Sequence, residues 1–254
     1  MILLLSFGAG FHRVIDLGFK KTGERYVMAS GNFTSQELGG ARPGRRITLD
    51  REDLERVRAG APSAIAVSAD ETRPVTARTA LRTRTTLVSA TTEEIARIQI
   101  HRTARGRFLD ADDEARSRSV VVLGATLAQA FYGDADPIGK SIELDGQVFD
   151  VIGVLERKGA QFVTNSGLHD DTAFVPLSRG QRLFGMGDAI GDLVADPLRA
   201  EDSERLREEL RGVLYARHRI PAGDRDAISF LEIQDFVRPM RLVGAALRVL
   251  LGAI

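Results

Sequence analysis

Asp110, Asp112, Asp113 and Glu114 crowd enough carboxylates into one short run to raise the chemistry of a calcium loop. An EF-hand cage needs glycine at the sixth loop position for its sharp turn and glutamate at the twelfth as a bidentate ligand. Counted from Asp110, those positions hold Ala115 and Val121, so the run reads as a solvated acidic turn. Gly139-Lys140-Ser141 ends like a phosphate-binding loop, but the first glycine of G-x-x-x-x-G-K-[ST] falls on Asp134. A phosphate cradle also needs a helix starting at the Lys-Ser pair, so that backbone N–H groups face the anion. Here an alternating, strand-like pattern follows, and Pro137 removes one donor. Residues 120–130 have the strand-Gly-helix outline of a dinucleotide-binding start, yet G-x-G-x-x-G would require glycine at Thr126. His12, His101, His169 and His218 are scattered, without an H-x-x-x-H pair, and no serine sits in G-x-S-x-G. The chain has no Cys, which excludes thiolate nucleophiles, thiolate metal sites and disulfides. No catalytic, cofactor-binding or metal-ligating residue is assigned, and the chain is not read as an enzyme.

The elements around these residues are clearer than the chemistry. In residues 131–155, Asp136-Pro137 opens a turn, Gly139 supplies freedom for positive φ, and Ile142 and Leu144 alternate with polar neighbours as a half-buried strand. Asp145-Gly146 matches a two-residue hairpin turn that needs φ > 0 at both positions. Residues 148–154 are more apolar, predicting a return strand buried on both faces. Upstream, strands are predicted at 25–30, 64–69 and 74–78, the last at an edge because of Pro74. A short helix between them starts at Asp50, with Asp53 in the capping-box position, Leu54 and Val57 inward, and Gly60 at its end. Residues 83–89 read as a Thr-rich strand, Thr91 with Glu94 as a capping box for a helix through Ile98, 120–123 as a buried strand and 125–132 as a helix. A loose loop at 159–171 and a strand at 173–177 follow. From 191 to 232 the pattern is strand, helix, strand, with Asp196-Pro197 as the helix start and Leu206, Leu210, Val213 and Leu214 as its buried stripe. Two βαβ-type units therefore flank a β-rich middle. The pattern predicts that the flanks pair into one sheet backed by two helices, a split βαβ arrangement.

Lys+Arg and Asp+Glu both number 35, so no net field points to nucleic acid as a partner. Residues 1–11 are almost wholly apolar, but a membrane span needs about 20 such residues. They also lack the basic start and cleavage site of a signal peptide. Residues 242–254 are apolar apart from Arg248. Either end alone is compatible with a buried core helix. Together, flanking a long polar middle, they point to a large extramembrane domain inserted between two partial spans.

Gly106-Arg107-Phe108, the acidic run, Val120-Val121-Val122-Leu123-Gly124, Phe131-Tyr132-Gly133, Asp136-Pro137-Ile138-Gly139-Lys140 and residues 148–154 form an ordered series. That series resembles the MacB-like periplasmic core domain of ABC transporter permeases of the MacB, FtsX and lipoprotein-releasing type. Ala173-Phe174-Val175-Pro176-Leu177 and residues 181–185 resemble the end of the same region. The resemblance implies an α+β fold. Residues 22–80 and 188–233 would form a porter-like α/β subdomain and 81–187 an inserted β-rich subdomain. Residues 1–21 and 235–254 would be stalks and partial transmembrane helices, in contact with membrane lipid. It implies a bacterial inner-membrane protein with its bulk in the periplasm and no cofactor of its own. Since the chain has no Walker motif, ATP hydrolysis would reside on a separate ABC ATP-binding subunit or a missing segment, and that work would move the extracytoplasmic domain for export or extraction of a substrate. The implied partners are that subunit, a second permease copy in a homo- or heterodimer, and a periplasmic adaptor protein. An FtsX-like regulator of a cell-wall hydrolase and a soluble α/β enzyme stand as alternatives.

Overall fold

The computed structural model describes residues 25–37, 43–158 and 169–232. The terminal apolar segments and most of the loop expected at 159–171 lie outside the described residues. Strand β1 (Val27–Gly31) is followed by the two-residue β2 (Leu49–Asp50), helix α1 (Arg51–Gly60) and the long strand β3 (Ala64–Arg78). Asp50 caps α1 as its sequence dictates: its carboxylate accepts from Asp53 N at 3.1 Å, and the Asp53 carboxylate accepts from Asp50 N at 2.9 Å. Next come β4 (Thr83–Thr91), α2 (Ile95–Ile98), β5 (Thr103–Gly106), α3 (Ala111–Ala115), β6 (Val120–Leu123) and α4 (Ala125–Tyr132). The chain continues through β7 (Ser141–Leu144), β8 (Gln147–Leu155), β9 (Thr172–Pro176), α5 (Leu177–Phe184) and β10 (Ala189–Ile190). It ends with β11 (Asp192–Pro197), α6 (Ser203–His218) and β12 (Ile228–Glu232).

The flanking strands lie in the order β12-β1-β11-β3, each antiparallel to its neighbour. Strand β11 thus splits the β1-α1-β3 unit, and β1 splits the β11-α6-β12 unit, which is the expected split βαβ arrangement within an α+β fold. Period-two alternation sends Val27, Ala29, Val67, Ala69, Leu193 and Ala195 to one face of the sheet. They pack there in the same core as Leu54 and Val57 of α1 and Leu206, Leu210 and Leu214 of α6. On the opposite face Met28 and Val194 join Tyr26 and the α2 residues Ile95 and Ile98.

The remaining strands close on themselves. Strand β3 pairs β4, β4 pairs β9, β9 pairs β6, β6 pairs β8, β8 pairs β7, and β7 returns to Ala77 and Arg78 of β3. This six-stranded ring encloses Val75, Val88, Val121, Leu123, Ile142, Leu144, Phe149, Val151 and Val175, all in the main core. Strand β5 adds to the rim of β8. At the β7–β8 turn, Asp145 and Gly146 have φ of 45° and 81°, as the two-residue hairpin demands.

Five local expectations are corrected. The predicted strands at 64–69 and 74–78 are one continuous β3. Pro74 is tolerated because Thr76, two residues on, turns its N–H away from β4 to Asp145 Oδ1 at 2.7 Å, so the missing donor at Pro74 falls on the same open edge. Asp196-Pro197 ends β11 rather than starting a helix, beside a register shift where a proline costs no ladder bond; α6 begins at Ser203. Thr91 and Glu94 form no capping box, because Thr91 is the last residue of β4 and the helix starts at Ile95 with Glu94 itself at the N-cap position. The acidic turn is the short helix α3. Strand β8 is buried on both faces only in its second half, and Val148 is 58% exposed.

Candidate functional site

Strand β1 carries the chain into the described body and β12 carries it out, and the two are antiparallel partners. Their register sets Val27 opposite Glu232, Met28 opposite Leu231 and Ser30 opposite Ser229. The points of entrance and exit are therefore adjacent across one strand pair, with Cα atoms about 4.5–5.5 Å apart. On its other side Val27 pairs with Ala195 of β11, so β1 is an interior strand of the sheet. Side chains brace this point. Arg207 Nη1 of α6 lies 3.3 Å from Glu232 Oε1, Arg25 Nη2 lies 3.9 Å from Asp196 Oδ2, and the Arg211 guanidinium sits 5.0 Å from the Phe230 ring centre. Tyr26 is buried beside them, and burial, reinforced by Asp70 and Asp192, pushes its phenol above the ordinary range.

Deeper in the same sheet, Asp192 and Asp70 face each other across β11 and β3. Like charges in directly opposed positions repel. Ser30 donates its hydroxyl to Asp192, and Ser89 donates to Asp70 Oδ1 at 2.5 Å. Burial raises the Asp192 carboxyl above its ordinary value, the Ser30 hydrogen bond opposes that rise, and Glu71 adds to it.

The two helices are joined by a buried acid. Fully buried Asp53 of α1 meets Arg217 Nη1 at 2.8 Å and His218 Nε2 at 3.0 Å, both from the last turn of α6. Arg217 also reaches Asp50 at 2.7 Å and Glu52 at 3.1 Å. Burial works against the Arg217 charge, but Asp50, Glu52 and Asp53 outweigh it and hold the guanidinium above its ordinary value. The N-terminus of α1 and the C-terminus of α6 are thus clamped by one charge network. Complementary helix dipoles favour the same arrangement.

The residues with chemical promise in the sequence have other occupations. Asp110 and Asp113 form a capping box for α3, and Arg107 grips Asp113 with two bonds of 2.5 and 3.0 Å. Glu114 accepts from Ser178 N at 3.0 Å and pairs with Arg51 at 2.9 Å, which ties α3 to α5 and α1. Among the described residues, no group of three His, Asp or Glu side chains is placed to hold a metal ion. Lys140 Nζ lies 5.6 Å from the Tyr132 ring centre, and Ser141 opens a strand rather than a helix. A Cβ on Gly124 would stand 2.3 Å from His169 O, so this glycine serves close backbone packing. His12 lies outside the described residues, and His218 belongs to the clamp. What sequence reading misses is a buried cluster of His101, His169 and Lys158, whose members are distant in the chain and share no motif.

A family model described as MacB-like periplasmic core domain matches residues 1–213. The chain belongs to that family. Among its relatives is the macrolide export ATP-binding/permease protein MacB of Bdellovibrio bacteriovorus, 31% identical over 153 residues, which cover 59% of this chain and 23% of the relative. The MacB of Wolinella succinogenes is 28% identical over 210 residues, covering 82% of this chain and 31% of the relative. The chain thus spans less than a third of the length of these relatives. The periplasmic region of MacB from Actinobacillus actinomycetemcomitans shares the fold with a TM-score of 0.69 at 17% identity, covering 89% of this chain and 97% of that one. In this MacB-like periplasmic core domain β1 and β12 are the first and last strands of the described residues, and they pair with one another. Among the described residues, no helix is long and apolar enough to cross a membrane.

Proposed function

We propose that this MacB-like domain is the moving extracytoplasmic part of an ABC permease, driven by ATP hydrolysis on a separate ATP-binding subunit and working on an exported or extracted substrate. The observation that carries the reading is the pairing of Val27 with Glu232. Two stalks leaving from adjacent positions on one strand pair deliver their relative movement to the sheet as shear or rotation, with little slack between them. In this proposal residues 1–21 and 235–254 are the stalks and first turns of membrane helices, 22–80 and 188–233 the porter-like subdomain, and 81–187 the inserted one. A second permease copy and a periplasmic adaptor complete the assembly, with the bulk of the chain in the periplasm and the termini in the inner membrane. Support comes from the ATP-binding/permease character of the relatives and from the geometry of the strand pair.

A Gly-Gly insertion directly after Glu232 tests the coupling in the complete transporter. The expected outcome is that ATP hydrolysis by the partner subunit persists while export falls at least tenfold. Undiminished export would overturn the stalk mechanism, and ATP hydrolysis by the purified 254-residue chain alone would overturn the division of labour.

A further inference from the structure

The segment joining α2 to β5 crosses from one part of the molecule to the other. Ile95 and Ile98 pack on the open face of the split βαβ sheet, while Thr103–Gly106 pairs with β8 of the barrel. Phe108 touches both the small core beneath α2 and the one formed by Leu109, Val120, Val122, Leu155 and Phe174. Between these anchors His101 is 8% exposed and His169 is 2% exposed. Their rings meet edge to face at 4.7 Å between centres, and His101 also packs against Phe174 at 4.9 Å and stacks on Phe108 at 6.0 Å. His101 Nε2 lies 3.1 Å from Gln99 Oε1, and its Nδ1 is buried with no hydrogen-bond partner among the described residues. Lys158 Nζ donates to Gln99 O at 2.5 Å and stands 3.5 Å from His169 Nδ1.

We propose that the His101–His169 pair is an acid-sensitive catch that fastens the 99–109 strap between sheet and barrel and releases it when the surroundings acidify. Among the described residues, the charged groups facing the pair are Lys158, three residues past the end of β8, and Asp170, which accepts from Lys158 N at 2.9 Å. Arg102, Glu156 and Arg157 on the flanking segments are exposed, and residues 159–168 contain no ionisable side chain. A proton on either ring therefore places a second cation beside Lys158 in an aromatic pocket, where Asp170 is the nearby carboxylate among the described residues. Burial first, then Lys158, pushes His169 down to about 3, and burial holds His101 well below its ordinary value. Burial also lowers Lys158 to about 7 against the pull of Asp170.

The sign follows from linkage. A histidine whose folded pKa is depressed leaves stability intact above the unfolded value near 6.5 and removes it as pH falls below that value. Two such rings raise the population of the open strap by about 100-fold between pH 7.5 and pH 5.5. This proposal concerns the chain by itself and does not depend on what the transporter carries.

Hydrogen exchange of the 254-residue chain in detergent, corrected for the intrinsic pH dependence of exchange, tests it. The expected result is a loss of protection on the order of 100-fold in residues 101–109 between pH 7.5 and 5.5, with β1 and β12 little changed. The double variant His101→Phe/His169→Gln should abolish that dependence. An NMR titration of the histidine ring protons in the unmodified chain gives a reading independent of whether the variant folds: the rings should stay neutral until the strap opens. Protection that does not change with pH, or rings that titrate near 6.5 while protection is retained, would overturn the proposal.

Discussion

At the scale of single residues, Asp53 illustrates how local and distant chemistry meet. Its capping of Asp50 is legible in the sequence because donor and acceptor are three residues apart. Its bonds to Arg217 and His218 are not, because they require α6 to pack against α1 first. Removing the carboxylate leaves Arg217 in the interface with fewer counter-charges. Because Arg217 keeps Asp50 and Glu52, Asp53→Ala is expected to cost about 1–3 kcal/mol, the loss of charge-assisted buried hydrogen bonds, as read by urea denaturation. The acidic run from Asp110 teaches the converse: carboxylates in one short stretch look like ligands until their partners Arg107, Arg51 and Ser178 are seen. The histidine catch was beyond sequence reading for the same reason, since burial gives His101 and His169 their chemistry and no spacing announces it.

At the scale of elements, what the sequence specifies through neighbouring residues appears as expected. Helices α1 and α4 and the β7–β8 hairpin have their caps, glycines and alternation in contiguous stretches. Elements fixed by distant pairing are harder to read. The Asp196-Pro197 pair has helix-start chemistry, but β3 claims it as a strand end by pairing Ala66 with Asp196 and Ala64 with Pro197, and Leu198 N donates to Ser63 O at 2.8 Å just beyond. Ring closure by β7 on β3 likewise leaves no local trace, because it depends on where Ala77 and Leu144 meet. Gly146 offers a direct check at this scale. With φ at 81° it occupies a region costly for residues with a Cβ, so Gly146→Val is expected to destabilise the chain by about 1–2 kcal/mol or more. Thermal unfolding would register the loss, while Gly212→Ala on the open side of α6 should be neutral or stabilising.

At the scale of the whole molecule, one hydrophobic cluster runs without interruption from Val27 and Leu210 through Val75 to Phe149. Strand β3 belongs to both the flanking sheet and the barrel, so the two parts share a continuous beam. In the proposed mechanism, movement imposed at Val27 and Glu232 crosses from Val27 to Ala195 of β11 and on to Val67, and β3 carries it about 35 Å farther to its far end. Leu81, 90% exposed in the turn beyond β3, marks that far end and tolerates a label. In the proposed assembly of two permease copies with an ATP-binding subunit, pulsed electron resonance between Leu81→Cys spin labels reports whether movement arrives. The account predicts that the distance distribution shifts by several ångströms between nucleotide-free and ATP-trapped states. An unchanged distribution in a complex that hydrolyses ATP and exports its substrate would contradict it.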